Sequence, residues 1–167
     1  PGHPLDPSSF MGAIVDNAQL SKILKCIKSG EDSGAKLCTG GQQIKKDSGG
    51  FYVGPTIFNH VTNKMPIAQN EIFGPVLSCI SFNTEEEALR LANDSIYGLA
   101  AAVWTSDLSR AHTLSRKLRA GSIWVNCWDG GDMTAPFGGY KQSGTGRDKS
   151  LHAFDKYTEL KATWIKI

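Results

Sequence analysis

Residues 76–126 read VLSCISFNTEEEALRLANDSIYGLAAAVWTSDLSRAHTLSRKLRAGSIWVN. Val76 to Phe82 is a short apolar run with the length of a strand. Thr84-Glu85-Glu86-Glu87 has the pattern of a capping box, in which Thr84 caps a helix and Glu87 reaches back to it. Ala88, Leu91 and Ala92 then mark the inner face of a short helix. Leu99 to Trp104 is small and wholly apolar, as expected of a strand covered on both faces. Ser106 or Asp107 starts a second helix with Leu108, Ala111, Ser115 and Leu118 inward, and Gly121 ends it. Ser122 to Asn126 is a third strand. Strand, helix, strand, helix, strand with crossovers of this length predicts an α/β fold: a parallel sheet with flanking helices and right-handed connections. Ligands on such sheets sit beyond the carboxyl ends of the strands, and the loop from Cys127 to Gly144 lies at one of them.

Upstream, Leu20, Ile23, Leu24 and Ile27 fall at i, i+3, i+4 and i+7 and predict a helix from about Asp16 to Ser29. Asp16 caps it, and Gly30 supplies a left-handed stop. Gly40 to Gly50 is polar and glycine-rich and reads as a surface loop. Phe51 to Phe58 reads as a strand interrupted near Pro55. At the other end, Tyr157 to Ile167 alternates, with Leu160, Ala162 and Trp164 on one side. It reads as a terminal strand, either an edge strand of the same domain or one donated to a partner subunit. The expected domains are therefore 1–156 and a terminal strand at 157–167. No internal repeat or low-complexity tract interrupts them.

The 167 residues are 40% hydrophobic and 20% charged, which is a globular composition. Eighteen basic and 16 acidic residues leave a net charge of +2, and no basic-aromatic stripe occurs, so neither nucleic acid nor a membrane surface is an expected partner. No apolar run reaches the roughly 18 residues of a membrane span. The start, Pro1-Gly2-His3-Pro4-Leu5-Asp6, is not a signal peptide and has no initiating Met, so the chain reads as starting within a longer protein. Cys26, Cys38, Cys79 and Cys127 have no disulfide or metal spacing. They read as reduced, buried thiols of a cytoplasmic protein. The four histidines are scattered, and no metal site is expected.

Two strings are specific: Glu71-Ile72-Phe73-Gly74-Pro75-Val76, and Pro136-Phe137-Gly138-Gly139-Tyr140-Lys141-Gln142-Ser143-Gly144. Asp6-Pro7, Gly40-Gly41, Gly54-Pro55-Thr56, Tyr97-Gly98-Leu99 and Gly121 to Asn126 accompany them in order. Together they resemble the NAD(P)-dependent aldehyde dehydrogenase superfamily, in its C-terminal portion, over essentially the whole chain. Asp129-Gly130-Gly131-Asp132-Met133-Thr134 and Gly146-Arg147-Asp148-Lys149-Ser150-Leu151-His152-Ala153 are similar to bacterial aminoaldehyde dehydrogenases. Those enzymes oxidise gamma-glutamyl-gamma-aminobutyraldehyde, 4-guanidinobutyraldehyde and related aldehydes of polyamine breakdown.

The resemblance implies a dimeric or tetrameric oxidoreductase that uses NAD or NADP. A cysteine thiolate attacks the aldehyde, hydride passes to the nicotinamide, and water releases the acid. The nucleophile's segment would precede Pro1, and none of the four cysteines stands in its motif, so no catalytic residue is expected in this chain and it is expected to be inactive alone. Cofactor binding maps to Glu71, which accepts the nicotinamide-ribose hydroxyls, and to Phe73, beside the ring. The family often has a second acid where Asn70 stands. Substrate binding maps to Asn126, Trp128 and Phe137 as tunnel walls. Asp129 and Asp132 stand at its mouth, where carboxylates suit a cationic substrate end, although both also suit a turn. Gly144 to Lys149 reads as a connector rather than a phosphate loop, with Arg147, Lys149 and Lys156 as a solvated basic face or contacts to another domain. The competing reading is a stand-alone assembly or nucleotide-binding module that reuses the fold.

Overall fold

The computed structural model describes residues 1–167. The chain divides into two units, residues 1–83 and 84–167. In the first, helix α1 spans Asn17–Asp32, and the Asp16 carboxylate accepts the Gln19 N–H at 2.7 Å as its N-cap. Leu20, Ile23 and Ile27 are buried along one face. The helix runs through Gly30 rather than stopping there, because Gly30 packs against Ile67 and Phe58, where a side chain would crowd. The left-handed residue comes later, at Gly34.

Strands β1 (Lys36–Thr39), β4 (Thr56–Asn59) and β5 (Val76–Ser78) form one sheet in the order β1-β4-β5. β4 pairs antiparallel with β1 and parallel with β5. Strands β2 (Gln43–Ile44) and β3 (Tyr52–Val53) make a two-stranded antiparallel sheet, so the polar 40–50 segment is partly ordered, with a 3-10 turn at Lys46–Ser48. Gly54-Pro55 separates β3 from β4, as the sequence implies. Helix α2 (Pro66–Gln69) precedes β5. Leu20, Ile23, Ile27, Val53, Phe58 and Ile67 are the heart of the core.

In the second unit, helix α3 spans Glu85–Asn93, and Thr84 caps it by accepting the Glu87 N–H at 3.1 Å. Strand β6 (Ala100–Val103) pairs parallel with β7 (Ser122–Val125). Between them lies α4 (Leu108–Lys117), capped by Asp107. The β6-α4-β7 crossover is as expected. β5 belongs to the β4 ladder instead, so the expected run of three parallel strands is divided between two sheets. Several burial expectations also fail. β6 is half-buried, with Trp104 65% exposed, and α3 has no fully buried residue. Leu108 is exposed, so the inner face of α4 rests on Ala111. Cys38 and Cys127 are exposed, and Cys26 and Cys79 half-buried.

Residues 157–167 have no ladder partner and are exposed, with Leu160, Trp164 and Ile167 nearly bare. They form no edge strand of this chain. The reason is that β-structure needs a neighbour to satisfy its backbone, and none pairs with them here.

Candidate functional site

The Glu71–Gly74 turn is built from α1. The Gln19 side-chain amide donates to the carbonyls of Ile72 and Phe73, at 2.9 and 3.0 Å. Ile72 is buried and anchors the turn, while Glu71 and Phe73 face outward. Phe73 is 67% exposed at a φ of 55°. A bulky residue in the left-handed region is strained, and such strain persists where the surroundings impose it. The Lys22 ammonium lies 5.7 Å from its ring centre. Gly74 presses on Ile23, where a Cβ would lie 2.6 Å from Cδ1. The Asn70 side chain donates to the Pro66 carbonyl at 3.1 Å, capping α2 with a bond that a carboxylate could not give. Gln19 escaped the sequence reading because its partners are more than 50 residues away in the chain.

The second candidate region lies at the carboxyl end of β7. Asn126, at a φ of 56°, clasps the backbone of Thr105: its amide donates to the Thr105 carbonyl at 2.9 Å and accepts the Thr105 N–H at 2.8 Å. Its side chain is thus committed to tying the loop after β6 to the end of β7. Trp128 is 64% exposed and packs on Trp124 at 5.0 Å between ring centres. The Trp124 indole N–H donates to the Gly130 carbonyl at 2.6 Å and fixes the loop. Asp129, Asp132 and Phe137 line one concavity of about 260 Å³ with Trp124 and Lys149; Asn126 and Trp128 are not among its walls. Asp132 accepts the Thr134 hydroxyl and N–H, which hold its carboxyl below the usual range. This is the turn geometry expected of an Asp at that place.

The loop carrying Phe137 is held on several sides. Phe137 exchanges two backbone hydrogen bonds with Asp148, and Lys141 donates to the carbonyls of Asn93 and Ser95 at 2.9 Å each. Gly121 lies so close that a Cβ would fall 1.7 Å from the Gly138 carbonyl oxygen. Arg147 is half-buried and donates to the carbonyls of Gly139 and Gly146, at 3.0 and 2.8 Å. Lys156 pairs with Asp148. The expected basic face is therefore largely structural: Arg147 and Lys156 are engaged, and only Lys149 is turned to the concavity. No group of three His, Cys, Asp or Glu side chains gathers to hold a metal ion.

No helix is long and apolar enough to cross a membrane. Comparison with known proteins bears on both regions. The chain is 54% identical to the NADP/NAD-dependent aldehyde dehydrogenase PuuC of Escherichia coli, over 100% of this chain and 33% of that protein. It superposes with a TM-score of 0.96 and 65% identity on an indole-3-acetaldehyde dehydrogenase crystallised with NAD+, covering 100% of this chain and 34% of that one. With the gamma-glutamyl-gamma-aminobutyraldehyde dehydrogenase of Burkholderia cenocepacia the TM-score is 0.93 and the identity 62%, over 98% of this chain and 33% of that one. The chain thus spans about a third of the length of the relatives it matches. The aldehyde dehydrogenase family model matches residues 1–163, which include both the Glu71–Gly74 turn and the Phe137 loop, and the chain belongs to that family.

Proposed function

We propose that this chain is the C-terminal part of an enzyme that oxidises an aminoaldehyde to its carboxylic acid with NAD or NADP. The observation that carries the reading is the Glu71–Gly74 turn, where a strained, exposed Phe73 stands beside an exposed Glu71 on carbonyls gripped by Gln19. The turn fits a nicotinamide riboside. The Glu71 carboxylate accepts the two ribose hydroxyls, and Phe73 covers one side of the ring. When bound, the cofactor supplies hydride acceptance. Phe137 excludes water from the reacting aldehyde, and Asn126 ties the end of β7 to Thr105. Asp129 and Asp132 favour a cationic substrate end.

The nucleophile lies outside this chain, which has no activity alone. In support, Cys26 packs against the core and no imidazole or carboxylate is hydrogen-bonded to any of the four thiols. Residues 157–167 pair with a partner subunit in a dimer or tetramer, a role their bare apolar side chains suit. The cytoplasm is the compartment we assign, in keeping with four unpaired cysteines.

Glu71→Gln in the complete enzyme tests the cofactor reading. Hydrogen bonds to a charged acceptor contribute about 1.5–3 kcal/mol, so kcat/KM for NAD+ is expected to fall at least tenfold. Kinetics equal to the parent enzyme's would overturn the assignment of Glu71.

A further inference from the structure

We infer that Lys141 is a positioning residue for the aldehyde: its ammonium moors the loop that carries Phe137 to the end of α3, and that mooring sets how tightly the aldehyde is held. This role rests on the proposal above that Phe137 borders the reacting aldehyde. It goes further by assigning a residue that touches neither substrate nor cofactor.

α3 ends at Asn93, and the last carbonyls of a helix have no partner within it. The Lys141 ammonium donates to two carbonyls at this end, those of Asn93 and Ser95, at 2.9 Å each. A cation is favoured at the negative end of a helix, and its hydrogen bonds are stronger than neutral ones. The Asn93 side chain in turn donates to the Lys117 carbonyl at 3.0 Å and accepts the Arg119 N–H at 2.7 Å. The mooring point is thereby fixed to the end of α4. Lys141 reaches it at a φ of 54°, in the left-handed region that a lysine adopts only under constraint.

The bonds of Phe137 with Asp148, and of Arg147 with Gly139 and Gly146, join parts of one stretch, 137–148. They shape that stretch without fixing where it stands against α3. The ties that do so run to 93–98. The Tyr140 N–H donates to the Gly98 carbonyl at 2.8 Å, and the Gln142 N–H to that of Ile96 at 3.0 Å. Ser143 Oγ accepts the Gly98 N–H at 3.0 Å. Lys141 is the charged member of this set and the one that reaches the helix end itself. Phe137 is four residues away, so a loop released at Lys141 carries its ring out of place.

The test is steady-state kinetics of the complete enzyme with gamma-glutamyl-gamma-aminobutyraldehyde and NAD+, comparing Lys141→Met, Lys141→Arg and Ser143→Ala with the parent. Asp107→Ala is the control, since it uncaps α4 in the same unit without touching the loop. Lys141→Met is expected to raise KM for the aldehyde about fivefold with kcat little changed, because a displaced wall weakens binding equally in the ground and transition states. KM for NAD+ stays at the parent value. Lys141→Arg, which keeps the charge and the donors, returns the aldehyde KM to near the parent's. Ser143→Ala loses one neutral bond of the same tie and raises the aldehyde KM about twofold. It carries the test alone if Lys141→Met does not fold. The inference is wrong if the aldehyde KM is unmoved in the folded variants. It is also wrong if Asp107→Ala raises that KM as much as Lys141→Met does, since the effect is then general loosening. The aldehyde dehydrogenase reading survives either result, whereas a parent enzyme that oxidises no aldehyde overturns both.

Discussion

One side-chain amide sets the form of the Glu71–Gly74 turn. Gln19 reaches from α1 to two successive carbonyls, and those bonds hold Phe73 outward against its backbone preference. Gln19→Leu removes both donors while keeping the apolar stem. Each bond has a net worth of about 0.5–1.5 kcal/mol, so KM for NAD+ in the complete enzyme is expected to rise several-fold. KM for the aldehyde should move much less, and an equal rise in both would argue for general loosening. Asp132 gives a second test at this scale. Thr134 lowers its pKa, so the stabilisation from this turn is present above the ordinary carboxylate range and is lost as pH falls through the depressed value. Thr134→Val is expected to move the Asp132 titration upward in an NMR pH series, and an unmoved midpoint would refute the cause assigned. Glu71 and Phe73 were legible because a contiguous string carries them. Gln19, Lys141 and Arg147 were not, because each acts on carbonyls distant in sequence or in a loop whose path the sequence does not reveal.

The helices follow from local chemistry. Asp16 and Thr84 each cap the helix that the sequence assigns to them, and of the two candidates Ser106 and Asp107 it is Asp107 that caps α4, since a cap needs only a short polar side chain two or three residues from an N–H. Asp16→Ala is expected to cost about 1 kcal/mol, read as a shift in urea midpoint without a change in slope. Strand partnership is a different matter. β5 and β6 are adjacent in sequence and separated by a helix of ordinary crossover length, yet they belong to different sheets. Apolar runs announce a strand but do not name its neighbour. Glycine spacing was legible only as a motif. Gly121 is required because the backbone of Gly138 passes against it, and that approach exists only after β7 and its loop have packed. Gly121→Ala forces a methyl group into that carbonyl and is expected to cost more than the roughly 1–3 kcal/mol of ordinary overpacking. A thermal melt within a degree of the parent's would contradict the packing described.

Across the whole chain, apolar burial is uneven. Residues 1–83 enclose a core around Ile23, Val53 and Phe58, each with no exposure, whereas Ala111 is the buried apolar residue of 84–167. Hydrogen exchange in the complete protein is expected to be slowest along Leu20–Ile27 of α1 and in β4. We assign the exposed apolar side chains of 157–167 to a subunit interface. Trp164→Asp is therefore expected to shift the assembled enzyme toward smaller species in light scattering. An unchanged mass would remove that role. The family was readable from two strings and their order, while the partner of 157–167 was not, because an alternating pattern fixes a strand's faces and not what lies beside it. The decisive measurement for the proposed activity is NAD+-dependent oxidation of gamma-glutamyl-gamma-aminobutyraldehyde by the complete protein, followed by NADH formation and identification of the product. One NADH is expected for each molecule of carboxylic acid formed. Failure to form NADH with any aldehyde, under conditions where the protein is folded, would contradict the assignment.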